Sequence, residues 1–346
     1  MKRLLISFAL VLTTAAAFGQ AADRDVVVTP DGTVYTVEAE TPPADSSMVA
    51  MRTLALTIQN GTEVSHLYVP DSMTSGFHFG GALAYDSDSN TLFVLWSHTD
   101  DWYSTELLLA SFHGDKWQSA VSIDSEPYRR RSNVRLGITR RVSQLQTDGT
   151  YTDVPALLLH AVWWEEAGKS EVARYALLTT DKGALSSIEI HSLEEFVAPA
   201  DEVYNAVDTT FNKEILRHPA IVSPPMQDSV DVIFGDTRSN TIHGITLRPI
   251  ADHRIHIPVG ATNPGGGGGK PIMSLAAPST FSADWKGPIT ILERGDRLVF
   301  ANASENSLNY ITYANAAWTS LKSIAIDGHF PVEAALAAID KMLSTQ

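Results

Sequence analysis

One arrangement recurs along this 346-residue chain: a hydrophobic run ends in an aromatic residue, and a polar residue follows two places on. It is seen at Trp96/His98, Trp163/Glu165, Phe234/Asp236 and Phe300/Asn302, with Val34–Glu40 a looser copy ending at Glu40. The neighbouring residues extend the theme: Asp100, Asp101, Trp102 and Tyr103 after the first, Trp164 and Glu166 around the second, Arg238 after the third. Aromatic rings stack on the apolar face of a sugar, and carboxylates accept from its hydroxyls. These residues therefore make a candidate carbohydrate-binding set. The plainer reading, solvated loop residues beside core aromatics, fits the same spacing.

The paired acids Asp100-Asp101 and Glu165-Glu166 also suggest glycoside hydrolysis, which needs two carboxyls about 5–10 Å apart. Adjacent residues on a strand face opposite ways, so a working pair must join different units. Glu165 and Asp236 are the catalytic candidates on that reading. Tyr128-Arg129-Arg130-Arg131 with Arg135 is the densest basic cluster. Its guanidinium forks suit a carboxylate, which adds Arg129 and Arg131 to the binding set; a solvated loop balancing local acids is the alternative. Arg140-Arg141 reads as a pair at a strand end, and Lys270 as a further loop cation.

Other chemistry fails on spacing. Asp86-Ser-Asp88-Ser-Asn90 begins like a calcium loop, but Thr91 stands where the turn glycine belongs and Ser97 where the bidentate acid belongs. It reads as a hairpin turn. His253 and His256 are three apart in a strand-like run and face opposite sides. The glycine run before Lys270 has Pro264 and Pro271 at positions a P-loop cannot spare. No nucleophile elbow, zinc-protease helix or dinucleotide fingerprint occurs. No metal site and no cofactor are implied.

The elements that carry these residues are short, β-branched or aromatic runs bounded by Asp, Ser, Gly and Asn, such as Thr91–Trp96, Ala156–Trp163 and Val230–Phe234. They repeat. Trp117–Ile123 and Trp318–Ile324 share W-x-S-x-x-S-I, and upstream Ser111 corresponds to Thr312 and Phe112 to Tyr313. Weaker copies start at 63, 184 and 253, a step of about 64 residues. Each unit reads as four strands: a, then b with its aromatic end, then c, then d with the W-x-S-x-x-S-I pattern. Such units cannot bury both faces alone, and packing them around an axis does so. The expectation is an all-β fold, a β-propeller of four-stranded blades, five in number with six as the alternative; a pair of β-sandwiches is the competing fold. In a propeller the b–c and d–a loops open on one face, which gathers His98, Glu165, Asp236 and Asn302 on one rim. Glu194–Leu216 reads as an insertion with a helical turn, and Asn263–Pro271 as a loop. Pro331–Ser344 reads as an amphipathic helix that caps the domain, or docks a partner.

Gly114-Asp-Lys-Trp117 followed by a strand resembles the blade ends of the sialidase-like (BNR/Asp-box) β-propellers. Thr179-Thr-Asp181-Lys-Gly183 fits the first half of the Asp-box, and Ser282-Ala-Asp284-Trp-Lys-Gly287 is one residue out of step. The resemblance implies architecture over most of the chain. It does not carry the sialidase catalytic pattern, because no Arg-Ile-Pro motif follows the N-terminal segment and no arginine triad, nucleophilic Tyr with its Glu, or acid Asp falls on matching positions.

The termini and composition set the compartment. Lys2-Arg3, the apolar run Leu4–Phe18 and the small residues Ala17 and Gly19 form a secretory signal peptide, residues 1–19, with cleavage before Gln20. Residues 20–330 then form the propeller and 331–346 the helix. The chain has no cysteine, so disulfides and thiolate chemistry are excluded and bacterial export to periplasm or medium is expected. Loss of Lys2 and Arg3 takes the formal charge from −15 to −17, which repels nucleic acid. No later segment is apolar enough to span a membrane. The expected function is a monomeric binding or interaction module for a glycan or an envelope or extracellular protein; the alternative is a sialidase-like glycoside hydrolase or lyase using the rim carboxylates.

Overall fold

The computed structural model describes residues 24–42, 50–101, 103–181, 184–196, 217, 219–222, 229–236, 241–249, 255–256, 275–276, 289–294, 297–303, 307–314, 317–319 and 322–325. The N-terminal segment 1–19, the glycine run, Trp102, Arg238, Lys270, both Asp-box fragments beyond Asp181 and the C-terminal helix lie outside them.

The described chain is a series of antiparallel four-strand meanders. The first blade is β1 (Arg24–Val28), β2 (Val34–Glu40), β3 (Thr53–Asn60) and β4 (Glu63–Tyr68). The second is β5 (Phe77–Asp86), β6 (Thr91–Thr99), β7 (Glu106–His113) and a split outer strand, β8 (Lys116–Trp117) with β9 (Val121–Asp124). The third is β10 (Arg130–Leu145), β11 (Tyr151–Ala167), β12 (Ser170–Asp181) and β13 (Ala184–Ser192), followed by the 3-10 turn Leu193–Phe196. The fourth contains β14 (Ala220–Val222), β15 (Val230–Asp236), β16 (Thr241–Pro249), β17 (Ile255–His256) and β18 (Leu275–Ala276). The last contains β19 (Ile289–Arg294), β20 (Arg297–Ala303), β21 (Ser307–Ala314), β22 (Ala317–Trp318) and β23 (Lys322–Ala325). The fold is an all-β propeller of four-stranded blades. Among the described residues no helix is long and apolar enough to cross a membrane.

The repeat has a hydrogen-bonded cause. Trp117 pairs Phe112 and Trp318 pairs Tyr313 across the c–d turn. The next residue then donates its N–H to the same partner position in each blade: Gln118 to the Ser111 carbonyl and Thr319 to the Thr312 carbonyl, both at 2.8 Å. W-x-S-x-x-S-I is thus the signature of an outer strand that breaks after two residues and resumes.

Propeller packing explains why the b strands are apolar without alternation. Along β6, Leu92, Val94 and Trp96 pack toward the first blade while Phe93 and Leu95 pack toward the third. Along β11, Leu159, Ala161 and Trp163 meet the second blade, and Leu158, Val162 and Trp164 meet the fourth. Both faces of a b strand are core, so period-2 polarity disappears. The first two blades also approach closely at a bulge in β5 between Phe79 and Ala82. A Cβ on Gly81 would stand 2.8 Å from Val37 Cγ1, so only glycine admits that contact.

The Asp86–Asn90 segment is the β5–β6 hairpin turn. Asn90 takes the left-handed conformation (φ 49°), and Asp86 accepts from the Ser89 amide at 3.1 Å. Arg140 lies inside β10, at a register shift between Thr139 and Arg141 rather than at a strand end. It pairs with Asp86 and Asp88 of this turn, each at 2.9 Å, and so clips the third blade to the second.

Candidate functional site

His98, Glu165, Asp236 and Asn302 stand at or near the ends of the b strands β6, β11, β15 and β20, where each blade's b–c loop begins. Asp236 closes β15 opposite Thr241, and Asn302 pairs Ile289 and Asn309; the side chains of both lie outside the described residues. The remaining members of the set take three different situations.

Glu165 is one of them, and it faces inward. It is 1% exposed and surrounded by three guanidinium groups: Arg129 Nη1 at 2.6 Å, Arg174 Nε at 3.0 Å and Arg131 Nε at 3.7 Å. Arg131 is fully buried, and its fork also clamps Asp124, with Nε donating to Oδ2 at 2.7 Å and Nη2 to Oδ1 at 2.6 Å. Its Nη1 donates to the carbonyls of Thr105, Glu126 and Arg129. Arg129 also pairs with Glu126. The hydrogen bond to Glu165, foremost, raises the Arg129 guanidinium above its ordinary pKa. Asp124 closes the outer strand of the second blade, Glu126 and Arg129 stand in the connection, and Arg131, Glu165 and Arg174 belong to the third, so the cluster rivets two blades together. This corrects two expectations. Glu165 is no rim carboxylate open to a substrate, and Arg131 is a strand residue within the seam rather than a loop cation awaiting a ligand. Trp164 is corrected too: it is fully buried in the core between the third and fourth blades, because both faces of β11 are covered there.

His98 folds back on its own blade. Its ring stacks on His78 at 4.5 Å with 21° between planes, and its Nε2–H donates to the Ser75 carbonyl at 3.1 Å. Asp100 Oδ1 lies 3.6 Å from that nitrogen, and Glu106 lies 3.9 Å from Nδ1. The donor-only indole of Trp96 gives its N–H to His78 Nδ1 at 3.1 Å, which leaves the proton of neutral His78 on Nε2. Burial, with the nearby His98 adding to it, pushes the His78 imidazole down to about 4. Asp101 is engaged as a loop cap, its Oδ1 accepting from the amides of Tyr103 at 2.9 Å and Ser104 at 3.0 Å. Glu40 sits 3.3 Å from His66 Nε2.

Gly76 holds this corner. Its φ is +87°, and an added Cβ would stand 2.5 Å from Asp100 Oδ1, 2.5 Å from the Thr99 carbonyl and 2.8 Å from His98 Nε2. Gly76→Ala therefore costs about 2 kcal/mol or more, from backbone strain and collision together. The check is the urea midpoint of the variant; an unchanged midpoint would contradict this packing.

A cavity of about 310 Å³ opens between the first three blades on the same loop face. Phe77 and Phe79, alternate residues of β5, give it two half-buried rings. Arg52, which precedes β3, stands at one side; Thr105, Arg130, Arg131, Ser132 and Glu166 form the other. Arg130 is 60% exposed and its Nη1 lies 3.5 Å from Glu166 Oε2. Among the described residues lining the cavity, Glu166 is the only carboxylate. Its neighbour Glu165 points the other way, as adjacent strand residues must. The size is at the lower end for small-molecule sites, and an apolar wall with a few polar groups is their usual make-up. The sequence reading found Glu166 but missed Arg52, Phe77 and Phe79. The signal was there: Phe77-His-Phe79 alternates at the start of an a strand, which lines a propeller's channel. Among the described residues no group of three or more His, Asp or Glu side chains is placed to hold a metal ion.

No protein-family model and no curated protein sequence matches the chain. Solved structures similar to it include a Hadza microbial sialidase, 11% identical with a TM-score of 0.44 over 88% of this chain. They include a protein of unknown function from Dyadobacter fermentans, 11% identical, TM-score 0.46, covering 90% of this chain and 84% of that one. A third is the GH93 α-L-arabinofuranosidase of Fusarium graminearum, 12% identical, TM-score 0.41, covering 88% and 76% of the two chains. This chain spans 58% of the length of the sialidase.

Proposed function

We propose that the chain is a carbohydrate-binding β-propeller module, exported by its N-terminal segment to periplasm or medium and acting there as a monomer. The cavity on the loop face carries the reading. Phe77 and Phe79 offer ring faces to the apolar side of a sugar, while Arg130 and Glu166 offer a donor and an acceptor to its hydroxyls. The state of Glu165 favours binding over hydrolysis. A glycosidase pair needs two carboxyls open to the substrate, and Glu165 is closed off by arginines.

The test is a glycan array with the chain from Gln20, followed by calorimetry on the retained glycans. Phe79→Ala lowers affinity for them on the order of tenfold, with the thermal melt run alongside to show that the variant is folded. Unchanged affinity in a folded Phe79→Ala variant would remove the cavity from the proposal. Turnover of aryl glycosides by the wild type, lost in Glu166→Gln, would establish the hydrolase instead.

A further inference from the structure

Two aromatic side chains outside the cavity lining are presented to solvent rather than packed into a blade. Tyr128 is 80% exposed and Tyr103 is 75% exposed, the most exposed large apolar side chains among the described residues. Neither hangs on a loose loop. Asp101 Oδ1 caps the amides of Tyr103 and Ser104, and Thr99 Oγ1 donates to the Ser104 carbonyl at 2.7 Å. Tyr128 takes the left-handed conformation (φ 61°), which a bulky residue adopts only when its surroundings enforce it. Here its amide donates to Ser104 Oγ at 2.9 Å, and the next residue's carbonyl accepts from the Thr105 amide at 2.8 Å. The two loops are thereby laced together, and Arg131 fixes the second from below through the carbonyls of Glu126 and Arg129. The rings sit two residues before Thr105 and Arg130, both of which line the cavity.

Resting on the carbohydrate reading, we propose that Tyr103 and Tyr128 form a second, ring-stacking subsite that carries a saccharide chain outward from the cavity across the seam of the second and third blades. Rigid aromatics presented on locked loops bind with little ordering cost. A phenol ring stacks on the C–H face of a pyranose and keeps its hydroxyl for the sugar's rim. The nearby arginines are engaged, Arg129 with Glu126 and Glu165 and Arg130 with Glu166, while the carboxylates of Asp100 (62% exposed) and Glu126 (60% exposed) reach solvent. Exposed carboxylates accept from hydroxyls and repel uronates. The proposed ligand is a neutral oligosaccharide of flat-faced units, such as β-1,4-linked pyranoses, longer than the cavity holds.

The experiment is calorimetry on the chain from Gln20 with β-1,4-linked gluco- and xylo-oligosaccharides of two to six units, and with oligogalacturonates of the same lengths. Wild-type affinity rises with length for the neutral series. The Tyr103→Ala/Tyr128→Ala variant loses on the order of a hundredfold for the longest members, about tenfold per ring, and little for the disaccharides. Its melting temperature stays put because the rings are exposed. Equal affinity of wild type and variant at every length overturns the subsite, and so does a wild type that binds none of the neutral series or prefers the uronates. Retention of other glycans on the array in those cases leaves the cavity reading standing.

Discussion

Arg131→Met lowers the stability of the folded chain by about 3–5 kcal/mol, a fall on the order of 10 °C in melting temperature. The reason is what the guanidinium leaves behind. Arg131 and Glu165 are within 1% of complete burial, and Asp124 beside them has a side-chain exposure of 9%. Without the arginine, Asp124 loses its bidentate donor and the carbonyls of Thr105 and Glu126 lose the Nη1 donor, while the Arg129 carbonyl keeps the Thr105 amide. An orphaned buried acceptor costs its full desolvation, more so when charged. Arg131→Lys does not rescue, since an ammonium cannot span both carboxylate oxygens and three carbonyls. Coupled removal behaves differently: adding Asp124→Asn to Arg131→Met restores part of the loss, because the charge the arginine would strand goes with it, while Glu165 keeps Arg129 and Arg174. Chemical denaturation of the single and double variants checks this. A single variant within 1 kcal/mol of wild type, or a double variant no better than the single, would refute the rivet.

Acidification from pH 7.5 to pH 5 destabilises the chain by about 2 kcal/mol for each of two buried histidines. His160 is fully buried between Thr139 Oγ1, 2.8 Å from Nε2, and Tyr175 Oη, 2.6 Å from Nδ1. Burial drives its imidazole down to about 3, and that of His78 down to about 4. The unfolded chain takes up these protons near 6.5 and the folded chain does not, so the unfolded state gains protons first. The stability is complete above 6.5 and is lost as pH falls toward 4 for His78 and toward 3 for His160. Asp25 opposes this. Burial raises its carboxyl despite Arg135 and the amides of Leu83 and Val26, so its protonation favours the folded form at the acid end. Urea unfolding between pH 5 and 8 measures the slope. His160→Gln, which cannot titrate, removes about half of it; a slope unchanged in that variant would sink the assignment.

Much of the architecture can be read without coordinates, because a repeat states its strands several times over. The aromatic-then-polar ends mark the b strands, and W-x-S-x-x-S-I marks the broken outer strand in two blades. The site is harder. Trp163-Trp164-Glu165-Glu166 looks like a strand running out into solvent, yet β11 continues to Ala167 with a blade against each face. Burial there depends on neighbours far along the chain, which local polarity does not reveal. One clue was available. Counting equal steps outward from Asp148 at the Asp-Gly turn brings Arg131 opposite Glu165 and Arg130 opposite Glu166, the observed register. Opposite charges facing across a hairpin announce a ladder of ion pairs. What the count cannot give is the third partner, Arg174 from β12, or Asp124 from the preceding blade.

Strand pairing in this chain is local. Apart from the bridge between Arg52 and Phe77, with the Met51 and His78 amides donating to the Gly76 and Arg52 carbonyls beside it, each described ladder joins strands of one meander, and elsewhere among the described residues side-chain packing and ion pairs join the blades. Such a chain can complete its backbone hydrogen bonding piece by piece as it is synthesised, with little loop closure to wait for. The late event is the mating of side-chain surfaces, and the seam that carries Arg131 is where an error of register would be rejected, since ions meeting the wrong partner have nowhere to go. The same division governs breathing in the finished protein: a seam opens without unzipping a single sheet. On the proposed carbohydrate-binding reading, a saccharide seated over the first three blades would close two seams at once and act on the protein as a clasp.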